Sequence, residues 1–99
     1  MSVQIGLDRN HPMTETDIHK NKLPDDIGPN WKDLARELSY NQATIDAIES
    51  EKLNCNKECC IELLVRWLRR EGRSATAGKL ADALTSARLK NLADDLIYG

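Results

Sequence analysis

The chain has 99 residues, 40% of them hydrophobic and 30% charged, with a formal net charge of −2. That length fits one domain with a small core, and the charge argues against a nucleic-acid-binding role. No apolar run approaches the roughly 20 residues that span a bilayer, so no membrane insertion is expected. Three cysteines, an odd number without a signal-peptide pattern, point to a reducing, cytoplasmic setting.

Phe is absent and Val scarce, so the core must come from Leu, Ile, Ala and two Trp, a composition that favours helices. Residues 1–13 mix Gly, Pro, Asn and charge without a period, and are expected to form a flexible tail ahead of a domain over 14–99. A short first helix is expected from Thr14, with Ile18, Leu23 and Ile27 inward and an interruption at Pro24. Gly28-Pro29 breaks the chain, and Asn30 is the expected cap of a second helix. There Trp31, Leu34, Ala35 and Leu38 recur at helical spacing on one face. Lys32, Arg36 and Glu37 lie off that stripe.

Asn41 is the candidate cap of a third helix marked by Ile45 and Ile48. Leu53–Asn56 connects it to a fourth, over about 57–70, whose apolar positions are Cys60, Ile61, Leu64, Trp67 and Leu68, with Leu63 beside them. Gly72 stops that helix after Arg69 and Arg70, which suit its negative end. Ser74 or Thr76 opens a fifth helix with Leu80, Ala83, Leu84 and Ala87 on one face. A break near Arg88–Lys90 leads to a sixth, with Leu92, Ala93, Leu96 and Ile97. Six short amphipathic helices with short connections make an all-α antiparallel bundle.

Charge is unevenly spread. Residues 42–62 sum to −3 and residues 63–90 to +5, a polarity suited to head-to-tail association.

Several segments resemble the death-domain superfamily: Gly28-Pro-Asn-Trp31, Leu34-Ala-Arg-Glu-Leu38, Ile45-Asp-Ala-Ile-Glu49, Leu64-Val-Arg-Trp67, Gly72-Arg-Ser-Ala-Thr76, Leu80-Ala-Asp-Ala-Leu84 and Leu92-Ala-Asp-Asp-Leu96. They fall in the family's order across residues 14–99. Pro24, the absence of proline in Leu53-Asn-Cys-Asn, and the Cys59-Cys60 pair depart from its pattern. The resemblance implies a Greek-key bundle that acts as a non-enzymatic, homotypic interaction module in apoptotic or innate-immune signalling. Its implied partners are other death-domain proteins (adaptors, receptor tails, kinase- or caspase-linked chains), with possible self-association. A scaffold role in an ankyrin-like parent is the alternative. The basic position of the Leu-Ala-Arg motif is Arg36, and its acidic counterpart on the third helix is Asp46. Lys32 and Glu49 neighbour them, and Arg66, Arg69, Arg70 and Arg73 offer a second surface.

Chemistry finds little support. Structural zinc wants four ligands in paired spacing, whereas Cys55, Cys59 and Cys60 are spaced Cys-x3-Cys-Cys and His11 and His19 lie far upstream. No metal, cofactor or catalytic residue is therefore assigned. There is no phosphate-binding Gly-rich loop and no hydrolase motif. A helix N-terminus would lower the thiolate pKa of Cys55 or Cys59, which leaves a thiol switch as the remaining redox reading.

Overall fold

The computed structural model describes residues 7–98, except Asn21 and the side chain of Lys20. The described residues form seven α-helical segments: α1 (Glu15–Lys20), α2 (Leu23–Ile27), α3 (Trp31–Glu37), α4 (Gln42–Glu51), α5 (Asn56–Glu71), α6 (Ala77–Ser86) and α7 (Lys90–Tyr98). The segments α1 and α2 are two pieces of the expected first helix, so the architecture is a six-helix bundle with a divided first element. The division precedes Leu23 rather than falling at Pro24. Pro24 sits in the first turn of α2, where its missing N–H leaves no bond unmade.

The longest helix, α5, is the hub. It packs against α1, α2, α3 and α4, while α6 packs on α3 and α7. The core runs through all of them, with Trp31 on α3 and Trp67 on α5 only 1% and 2% exposed. With no Phe available, these two rings supply the bulk between helices, each contributing on the order of 3 kcal/mol by burial. Ala35, Ala77, Ala81 and Ala83 are buried too, small enough for neighbouring helices to approach.

Helix ends follow the sequence in most places. Asn41 accepts from the Thr44 N–H and Thr76 from the Lys79 N–H, capping α4 and α6. Gly72 closes α5 at φ +59°, in the left-handed region that glycine enters without cost. The exception is Asn30. Gly28–Asn30 winds as a 3-10 turn running straight into α3, so the Asn30 side chain makes no cap bond.

The expected tail also differs. Residues 1–6 lie outside the described residues, but residues 7–13 lie against α6 and α7. The Leu7 N–H donates to Leu96 O, and the Met13 N–H to Ala75 O. Met13, 5% exposed, belongs to the core. A lone apolar residue between polar neighbours carries no period, so this contact left no pattern to read.

Candidate interaction surface

The charged positions of α3 and α4 form one surface. Asn41 starts α4 one short turn after α3 ends, which sets the two helices side by side. Arg36 then faces α4. Its Nη1 donates to Asp33 Oδ1 and its Nη2 to Gln42 Oε1, both at 3.2 Å. Gln42 Nε2 in turn donates to Asp46 Oδ1 at 2.9 Å. Arg36 and Asp46 are thus joined through an amide rather than in direct contact. An ion pair between Lys32 Nζ and Glu49 Oε2, at 2.6 Å, ties the same two helices together. Asp46 is exposed and enters no ion pair among the described residues.

Gln42 is the member that sequence reasoning missed. Its signal was its place four residues before Asp46, on the same helical face. An uncharged side chain draws no notice in a search for charge.

The arginines of α5 divide into two kinds. Arg66 Nε donates to Glu62 at 2.8 Å, and its Nη2 reaches Glu51 at 3.2 Å. Lys52 approaches Glu62 at 3.8 Å from α4's C-terminal end. Arg66 of the basic stretch is therefore paired with Glu51 and Glu62 of the acidic one. Arg70 is a clamp. Its Nε donates to Glu71 at 2.8 Å, its Nη2 donates to the Leu38 carbonyl at 2.7 Å, and its guanidinium lies 4.5 Å from the Tyr40 ring centre. One bond satisfies a carbonyl that the end of α3 would otherwise leave open. The Tyr40 hydroxyl beneath has no hydrogen-bond partner among the described residues, and burial raises its pKa against the opposing charge of Arg70. Arg69 and Arg73, by contrast, are exposed and enter no ion pair among the described residues.

The thiol reading changes at Cys59. It lies in the first turn of α5 but is wholly buried, its Sγ 3.9 Å from the Ile48 carbonyl. Burial raises its pKa, with the charge of Glu49 adding to the effect. The helix N-terminus therefore does not activate it. Cys60 is also buried, and its thiol is pushed up to about 12. Cys55 alone of the three is exposed. No group of three potential metal ligands occurs among the described residues, and none of their helices is long and apolar enough to cross a membrane.

The chain is similar to known proteins that share one kind of domain. A family model described as Death domain matches residues 19–99. The chain is 38% identical over 85 residues to Receptor-interacting serine/threonine-protein kinase 1 of Homo sapiens, covering 84% of this chain and 13% of that protein. It is 33% identical over 85 residues to Ankyrin-3 of Rattus norvegicus, covering 86% of this chain and 3% of that one. It is 38% identical over 73 residues to FAS-associated death domain protein of Mus musculus, covering 74% of this chain and 35% of that one. The chain thus spans only a minor part of the relatives it matches.

Proposed function

The chain belongs to the death-domain family, and from that premise we propose that it recruits other death-domain proteins through the charged surface of α3 and α4. The death domain is a non-catalytic protein–protein interaction module, so binding is the whole of its action. The observation that carries the reading is the exposed Arg36–Gln42–Asp46 relay, flanked by Lys32 and Glu49. Exposed intramolecular pairs are worth ~0–1 kcal/mol, so stability gives little reason for such a cluster. Facing charges steer encounter and reject wrong partners, which is the task of an adaptor.

Arg69 and Arg73, at the end of α5 and in the loop after it, offer a second contact region, while Arg66 and Arg70 beside them are tied to Glu51, Glu62 and the Leu38 carbonyl. Two unlike surfaces on one module allow head-to-tail association that does not close, generating an extended assembly. The setting is cytoplasmic signalling of the apoptotic or innate-immune kind. The similarity to Ankyrin-3 favours a second reading, a scaffold module with weak self-association.

Titration calorimetry against a panel tests this. The panel holds the chain itself, mouse FAS-associated death domain protein, and the matched segments of human Receptor-interacting serine/threonine-protein kinase 1 and rat Ankyrin-3. Salt-dependent binding to mouse FAS-associated death domain protein or to the kinase segment supports recruitment. Weak self-association alone supports the scaffold. Binding to nothing on the panel overturns both.

A further inference from the structure

Residues 7–13 hold to the bundle as a peptide holds to a receptor. Two N–H groups in the first turn of α6 have no intrahelical partner. The Ala77 N–H donates to the His11 carbonyl and the Gly78 N–H to the Arg9 carbonyl, both at 2.9 Å. Pro12 and Thr76 pair as an isolated antiparallel bridge. The Arg9 guanidinium reaches down α6, donating to the Gly78 carbonyl at 3.3 Å and to Asp82 Oδ1 at 2.8 Å. At the far end Leu7 bonds to α7 through Leu96 O. Gly78 is fitted to this segment, since a Cβ there would stand 2.9 Å from the Arg9 carbonyl and 3.1 Å from its Cβ. The family match begins at residue 19, so this segment lies outside the matched residues.

We propose that the groove along α6 and α7 is a peptide-docking site distinct from the α3–α4 surface, and that residues 7–13 are its resident, displaceable ligand. The site reads a turned chain, closed by the His11 N–H donating to the Asp8 carbonyl at 2.9 Å and the Asn10 N–H to Asp8 Oδ1 at 2.8 Å. Carbonyls two residues apart meet the Ala77 and Gly78 N–H groups, and the arginine carrying the first of them meets Asp82. Residues 7–11 are held by main-chain bonds, by Arg9 on the Gly78 carbonyl and Asp82, by His11 Nε2 on Asp17 at 2.8 Å and by partial burial of Leu7, whereas Met13 is buried and anchors the segment's base. None of these bonds reaches α5, so the segment can open while the hub of the bundle stays folded.

Hydrogen exchange and peptide titration on the full chain test the idea. In Gly78→Ala the amides of Leu7, Ala77 and Gly78 should exchange about tenfold faster or more, and in Arg9→Ala about threefold faster, while those of α5 keep their rates. A synthetic peptide of residues 7–13 should then bind Arg9→Ala saturably, shifting the Ala77 and Gly78 amide resonances. The same peptide should not bind Gly78→Ala, where the new methyl fills the approach. The proposal is overturned if both variants leave exchange unchanged, or if these amides exchange only together with α5. It is overturned equally if the peptide does not saturate Arg9→Ala. A dimer of the parent chain in sedimentation, with residues 7–13 seated on a second copy, would replace the intramolecular assignment.

Discussion

At the scale of single residues, burial decides which side chains are chemically available. Cys55, Cys59 and Cys60 stand within six residues of one another, yet only Cys55 meets solvent. An alkylating reagent at neutral pH should therefore label one thiol in the native chain and all three in denaturant, as read by intact mass. Rapid native labelling of Cys59 would contradict its raised pKa and its burial. Leu53 presents the opposite case. It is 86% exposed at φ +52°, a left-handed conformation that costs a non-glycine residue roughly 1–2 kcal/mol. Leu53→Gly should therefore raise the midpoint of thermal unfolding, or at least not lower it, because no packing is lost. A clear drop would mean that Leu53 is buried in solution.

At the scale of elements, caps and stops were legible because one residue type satisfies a known backbone need. Asn41, Thr76 and Gly72 all act where the sequence placed them. Asn41→Ala should cost about 1 kcal/mol in denaturant unfolding, and a change near zero would remove the cap from the account. Asn30 failed as a cap because the preceding turn is already helical, which no residue in Gly28-Pro-Asn announces. The seating of residues 7–13 was illegible for another reason. It rests on main-chain bonds to α6 and α7, more than 60 residues away, and main-chain bonds leave no trace in residue type. At its junction with α1, Thr14 and Asp17 bond each other reciprocally in a capping arrangement, and Asp17 also meets His11 Nε2 at 2.8 Å. Partial burial opposes the Asp17 charge, but the bonds from His11 and Thr14 outweigh it, and its carboxyl lies below the ordinary value. A lowered folded pKa gives stability that is present above the unfolded value, about 4, and lost as pH falls through the folded one. Asp17→Asn should therefore lower the melting temperature at pH 6 and lose that deficit as pH falls through the lowered folded value. A deficit unchanged by pH would assign the effect to packing instead.

At the scale of the whole molecule, the bundle is a frame that sets α3 and α4 side by side and presents their charges together. The two residues the family resemblance singled out, Arg36 and Asp46, are brought to one surface. What could not be read was their linkage through Gln42, or the local pairing of Arg66, because partner choice depends on how helices cross. Charge counted along the chain overstated the polarity of the surface for the same reason. The most direct measurement is the affinity of the Arg36→Glu chain for whichever panel protein binds the unaltered chain, taken alongside its melting temperature. The account predicts a loss of at least about tenfold in affinity, with stability held within about 0.5 kcal/mol. Unchanged affinity in a folded Arg36→Glu chain would contradict it and move the interface away from α3 and α4.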